Sequence, residues 1–158
     1  MKVKVIVGRD IREEVKKRIK SFLDDLIPFL EDYAREQEKI EEMVREMERK
    51  EVRKGVIELE RHNRERIIID KLIRQIKELV KKHNLKLPED FPYNEVFEYC
   101  SSDRITPYLK QEVFAVCYLD FEHERIVVTA VFEQFSNGVY TYELKEIYVD
   151  ECFAFKEK

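Results

Sequence analysis

The spacing of apolar residues along this chain changes near residue 110. From Asp10 to His83 apolar side chains recur every three or four positions within dense charge, which predicts amphipathic helices. Beyond residue 110 the apolar residues are β-branched or aromatic and fall in three segments that predict strands, namely 112–120, 125–135 and 139–149. The pattern therefore predicts an α+β fold, with an N-terminal short strand and long amphipathic helices packed on a C-terminal antiparallel β-meander.

The chain is expected to form a single α+β domain over residues 1–158, because this length can bury one sizeable core. Its parts are a helical half over 10–84, an irregular connection over 85–110 and the β-meander over 111–151. The alternation of Val3, Val5 and Val7 predicts a short strand that joins the C-terminal sheet.

Asp10 stands three residues before Glu13, which predicts an acidic version of the capping box at the start of the first helix. Pro28 lies inside the helical pattern, and because it lacks an N–H we expect a kink there. Gly55 either ends the first helix or lies within one long helix. The second helix is expected to end at Asn84 in a left-handed cap.

Asn137 and Gly138 predict a type I′ hairpin turn in which Ser136 pairs with Val139. With a four-residue first turn, the core face carries Val113, Ala115, Cys117, Leu119, Ile126, Val128, Ala130 and Phe132. The opposite face is too apolar to be left to water, so either the chain's own helices or a second copy should cover it. Its aromatic residues are the candidate interface, namely Phe114, Tyr118, Tyr140, Tyr142 and Tyr148.

Composition restricts the class of protein. Charged residues make up 41% of the chain against only four Gln and four Asn, a bias typical of proteins from hot environments. The three cysteines lack ligand spacing, which favours incidental thiols over a disulfide framework or zinc site. No segment approaches a membrane span or an apolar signal region, so a cytoplasmic protein without membrane contact is expected.

Charge is unevenly distributed along the chain. From Arg61 to Lys82 there are eight basic and three acidic residues, whereas from Glu89 to the end there are six basic and fifteen acidic residues. This asymmetry suits an external partner, and it equally allows the two halves to neutralise each other within one molecule or across a dimer.

Candidate chemistry is sparse. Glu143 and Lys145 form an ExK pattern on a predicted strand, as in metal-dependent nucleases, although chance and surface charge explain the same triplet. Glu112 falls opposite Glu133 in the predicted register, and such a carboxylate pair suits acid–base work or cation binding unless the register is wrong. The three histidines are isolated, so no catalytic residue, metal site or cofactor is predicted.

A basic stripe on the second helix is the candidate nucleic-acid contact. Arg66, Arg74, Lys77 and Lys81 fall on the side opposite the apolar face, although Asp70 interrupts them. An ordinary solvated helix face explains the same spacing.

These features leave three hypotheses for function. The leading one is a small non-enzymatic interaction or assembly protein that associates with itself as a homo-oligomer. The first alternative is a nucleic-acid-binding protein or, more specifically, a metal-dependent nuclease. The second is a module that binds a small ligand between the helices and the sheet.

Overall fold

The computed structural model describes residues 3–153, and it has the α+β architecture that the sequence predicts. A short N-terminal strand is followed by two long helices and then by four antiparallel strands. In chain order the elements are β1 Lys4–Val7, α1 Glu13–Arg49, α2 Lys54–Lys82, β2 Glu98–Arg104, β3 Leu109–Asp120, β4 Arg125–Asn137 and β5 Val139–Glu151. Within the described residues, neither helix is long and apolar enough to cross a membrane.

Helix α1 is continuous through Pro28 and extends about 55 Å at 1.5 Å per residue. The predicted capping box is wrong, because the N-cap is Arg12, which makes no side-chain capping hydrogen bond. Acidic Glu13 and Glu14 in the first turn still complement the positive end of the helix dipole.

The break between the helices lies before Gly55, which is the second residue of α2. Glu51 adopts the left-handed conformation there, with φ of 56°, so Gly55 neither caps α1 nor bends a single long helix. At the other end the prediction is confirmed: α2 ends at Lys82 and Asn84 is left-handed, with φ of 52°.

The five strands form one sheet in the order β1-β5-β4-β3-β2. The N-terminal strand joins it as predicted, running parallel to β5, while the other neighbours are antiparallel. Strand β2 lies inside the predicted irregular connection; all seven of its residues are exposed and only one is a large apolar residue, which explains the absence of a strand pattern.

The predicted sheet register is wrong by one residue at the second hairpin. Ser136 pairs with Tyr140 instead of Val139, and Gly138 stands alone at the tip with φ of 78°. Two bulges shift the pairing again. One lies on β3 between Ala115 and Cys117, and the other lies on β5 at Lys145, which has no partner between Val131 and Phe132 of β4.

These shifts exchange the faces of several side chains, because each one-residue slip turns a strand over. Val113 and Ala115 leave the predicted core face. Phe114, Tyr140, Tyr142 and Leu144 move to the side that faces the helices, whereas Cys117, Leu119, Val128 and Phe132 lie on that side as predicted.

The main core lies between this side of the sheet and the helix pair. Phe22, Leu26 and Leu30 of α1 are fully buried there, as are Ile126, Phe132 and Ile147 of the sheet. A smaller cluster of Ile40, Val44 and Ile57 joins the two helices near their connection. Both helices therefore cover the same side of the sheet.

Candidate interaction surfaces

The side of the sheet away from the helices is called the open face here. The strand pairing places these uncharged residues on it: Ile6, Val113, Ala115, Tyr118, Val127, Thr129, Val131, Phe135, Thr141 and Tyr148. It also places Glu133, Glu143 and Glu146 there. Val131 and Ala115 are buried among their neighbours, yet within the described residues they join neither hydrophobic cluster. An apolar centre outside the main core suits contact with another molecule.

Carboxylates surround this apolar centre. Glu133 lies opposite Glu143 on the neighbouring strand, and Glu146 lies opposite Val131. Gln111 donates a hydrogen bond to Glu133 at 3.2 Å, and the Lys145 ammonium lies 2.7 Å from Glu143. The predicted opposition of Glu112 and Glu133 is wrong, because a register one residue different pairs Glu133 with Gln111 and Glu112 with Phe132.

A stripe of exposed residues on α2 forms the second surface, called the α2 outer face here. All of its members are exposed; they are Val56, Leu59, Asn63, Arg66, Ile67, Asp70, Arg74, Lys77 and Lys81. Apart from the adjacent Arg66 and Ile67, they recur every three or four residues, which places them on the side opposite buried Leu72 and Ile76. Four cations and one carboxylate make this surface basic.

The basic residues of the α2 outer face are the four predicted for nucleic-acid contact. Within residues 3–153, none of Arg66, Arg74, Lys77 and Lys81 makes an ion pair. The exposed apolar side chains of Val56, Leu59 and Ile67, at 47%, 62% and 66% exposure, extend the stripe toward the start of the helix. The surface is therefore both cationic and apolar.

The five aromatic interface candidates lie on two different sides of the sheet. Tyr118 and Tyr148 belong to the open face, where Tyr93 packs edge-on against Tyr118 with ring centroids 5.2 Å apart. Phe114, Tyr140 and Tyr142 face the helices instead. The aromatic content that suggested an exposed interface therefore belongs partly to the core.

Tyr33 of α1 lies at the centre of that aromatic core. Its ring meets Phe97, Phe114, Phe132 and Tyr142 edge-on at centroid distances between 4.8 and 6.4 Å. Gln37 donates a hydrogen bond of 3.0 Å to the Tyr33 hydroxyl. Aromatic rings therefore occupy this part of the space between helices and sheet, where the sequence suggested a ligand pocket.

Ionisable groups within and beside this aromatic core perturb one another's pKa values. Burial raises the pKa of Tyr33, Tyr140 and Tyr142, and the charge of Glu112 adds to each shift. Burial also raises the pKa of Glu65 on α2. All three tyrosines are therefore neutral hydrogen-bonding groups in the physiological pH range, unsuited to act as bases.

Arg125, which the sequence did not single out, anchors the connection between α2 and β2. Its guanidinium binds Asp120 at 2.6 Å and Asp90 at 2.7 Å and lies 4.9 Å from the ring centroid of Tyr93. The Asp120 hydrogen bond is the largest cause that raises the Arg125 pKa. The contact of Arg125 with Asp90 holds residues near Asp90 over one corner of the sheet. These two residues are 35 positions apart, so their pairing leaves no local sequence signal.

The two predicted nuclease residues, Glu143 and Lys145, form an ion pair on the open face, where Glu143 lies opposite Glu133. Within residues 3–153, His, Cys, Asp and Glu side chains form no group of three or more that could hold a metal ion. His83 has a structural partner, because its Nε2 lies 2.7 Å from Asp25 on α1. Hydrogen bonds from Lys82 and then His83 lower the Asp25 pKa.

Comparison of the chain with protein-family models, curated proteins and solved structures finds no match.

Proposed function

We propose that this protein is a non-enzymatic assembly protein that associates with itself, the α2 outer face of one copy covering the open face of the next. The observation that carries this proposal is the complementarity of these two surfaces. One presents carboxylates around an apolar centre. The other presents cations that make no ion pair with any described residue, beside exposed apolar side chains.

The dimensions of the two surfaces are compatible. From Val56 to Lys81 the helix face extends about 38 Å. Strands β3, β4 and β5 are 12 or 13 residues long, or about 40 Å, and five strands are about 24 Å across. A helix along the strands gives the sheet a second covering layer, the common way in which apolar sheet faces are buried.

Charge favours this arrangement over a symmetric dimer of two open faces. Two open faces in contact would bring Glu133, Glu143 and Glu146 of both copies together, and like charges in an interface are repulsive. Contact between two α2 outer faces would oppose cations in the same way. A helix-to-sheet contact instead places opposite charges together and produces a ring or a filament.

Size-exclusion chromatography with light scattering tests the proposal over a range of protein and salt concentrations. The mass is expected to rise above 19.3 kDa with protein concentration and to fall again at high salt. The double variant Arg74→Glu, Lys77→Glu should stay monomeric. The matched variant Lys17→Glu, Lys20→Glu, on the exposed side of α1 with the same spacing, should assemble normally. A mass of 19.3 kDa under all conditions contradicts the proposal.

Nucleic-acid binding is the second candidate, favoured by the four exposed cations of the α2 outer face. It predicts affinity that falls steeply with salt and is similar for all sequences, because the contacts are to phosphates. The Arg74→Glu, Lys77→Glu variant should then lose binding while the Lys17→Glu, Lys20→Glu variant retains it. Absorbance at 260 and 280 nm during chromatography distinguishes this candidate from protein-only assembly. The exposed apolar residues of the same face make it the less favoured one.

A further inference from the structure

A cavity lies where the β2–β3 and β4–β5 hairpins end, on the helix-facing side of the sheet. Its volume is about 230 Å³, below the range of about 300–1,000 Å³ typical of sites for drug-sized ligands. Its polar lining comes from Arg104, Thr106, Lys110, Gln134 and Ser136, and no carboxylate lines it. The size and lining suit a small polar ligand.

Two cations of this lining lie directly opposite each other. Arg104 of β2 is the cross-strand partner of Lys110 of β3, an arrangement that destabilises a sheet when no counter-charge is present. Within residues 3–153 neither makes an ion pair. The nearest carboxylate on the same side of β3 is Glu112, two residues from Lys110, and it interacts with the Tyr142 hydroxyl. Within the described part of the chain, the cation pair therefore has no carboxylate bound to it.

A third cation lies outside the cavity lining but contacts one residue of it. Arg45 of α1 donates to the Ser136 hydroxyl at 3.2 Å and more weakly to the Gly138 carbonyl at 3.4 Å, while its guanidinium lies 5.8 Å from the ring centroid of Tyr140. These contacts hold a positive charge beside the cavity. Two cations in the lining and a third bound to Ser136 favour an anionic ligand, because charge-assisted hydrogen bonds to an oxyanion are stronger than neutral ones.

The hydroxyl groups are arranged as donors. Thr106 Oγ1 accepts the backbone N–H groups of Tyr108 and Leu109 at 3.2 and 3.0 Å, so its own proton is available to a ligand. Ser136 Oγ accepts from Arg45, which leaves its proton available as well. The cavity thus offers cations and donor hydroxyls to an oxyanion.

We infer that this cavity binds a phosphate group, either as inorganic phosphate or as the phosphate of a small monoester. Arg104 and Lys110 neutralise the anion, Thr106 and Ser136 donate hydrogen bonds to it, and Arg45 positions Ser136. The site is independent of the proposed assembly, because the four side chains that would contact the anion, and Arg45, belong to neither the open face nor the α2 outer face.

Isothermal titration calorimetry at constant ionic strength tests this inference with inorganic phosphate and, separately, glycerol 3-phosphate. Saturable binding with one site per chain is expected, and Arg104→Gln or Lys110→Gln should each weaken it about tenfold or more. Lys20→Gln, an exposed substitution on α1, should leave it unchanged. Binding of both ligands identifies a monoester site, and binding of inorganic phosphate alone identifies a site for the free ion.

Correct folding of the variants is checked by thermal unfolding without ligand. Lys110→Gln should unfold at the same or a higher temperature than the natural chain, because it removes the like-charge pair. Absence of saturable binding at millimolar ligand overturns the inference, and so does equal binding by the Arg104→Gln, Lys110→Gln and Lys20→Gln variants.

Discussion

Glu133 lies directly opposite Glu143 on the neighbouring antiparallel strand, so that two carboxylates point from the same side of the sheet. Opposed like charges cost free energy in the isolated chain, and the contacts of Lys145 with Glu143 and of Gln111 with Glu133 reduce that cost. Within the proposed assembly, cations of α2 from the next copy would complete that compensation.

Glu133→Gln is expected to stabilise the dilute, monomeric protein by about 0.2–1 kcal/mol, because it removes the opposition to Glu143 while the amide oxygen still accepts from Gln111. The same substitution should weaken self-association. Thermal unfolding at low protein concentration and light scattering at high concentration measure the two effects. Glu42→Gln, exposed on α1, should change neither, and a loss of monomer stability in Glu133→Gln would contradict the account.

Two glycines should respond oppositely to alanine. Gly138→Ala is expected to destabilise by about 1–2 kcal/mol, because its φ of 78° is unfavourable for a residue with a Cβ although that Cβ would meet nothing. Gly55→Ala should stabilise by up to about 1 kcal/mol, because the site is helical and open. Urea unfolding measures both, and equal signs for the two substitutions would be inconsistent with the backbone described.

Glu65→Gln is expected to stabilise the protein at neutral pH. Burial raises the pKa of Glu65 in the folded state, so its ionised form costs free energy above that pKa. The advantage of the variant should shrink as pH falls and disappear below the ordinary Glu pKa of about 4. Melting temperatures from pH 3 to 8 test this, with exposed Glu78→Gln as the control. An advantage that grows toward low pH has the wrong sign.

Cys117 should be the protected thiol. It is fully buried on the core side of the sheet, and burial raises its pKa to about 12, whereas Cys100 is exposed. A thiol-reactive disulfide reagent should therefore label Cys100 rapidly and Cys117 only after unfolding. Mass spectrometry of the labelled peptides identifies the sites. Labelling of Cys117 as fast as Cys100 in the native protein would contradict its position in the core.

The fold class and the ends of several elements followed from local chemistry. Alternating valines identified β1, and Asn84 identified the end of α2, because these signals act within a few residues. Glu51 shows the limit of such reasoning. Its left-handed backbone conformation lies at the break between the helices, whereas the sequence offered Gly55, four residues later, as the candidate position for a break.

Which side chains lie on each side of the sheet could not be predicted from such local signals. A bulge that includes Val116 and an extra residue at Lys145 each reverse the side-chain alternation, and neither has a distinctive sequence. The basic residues of α2 were identified correctly as one exposed stripe because helical spacing alone determines their positions. The opposition of Arg104 and Lys110 depended on β2, whose polar sequence concealed a strand.

The most direct test of the assembly is a charge exchange between its two surfaces. One variant carries Arg74→Glu and Lys77→Glu on α2, and the other carries Glu133→Lys and Glu143→Lys on the open face. Each alone should be monomeric by light scattering, whereas an equimolar mixture should regain an assembly in which the two variants alternate. If either variant assembles alone, or if the mixture stays at 19.3 kDa, the proposed helix-to-sheet contact is wrong.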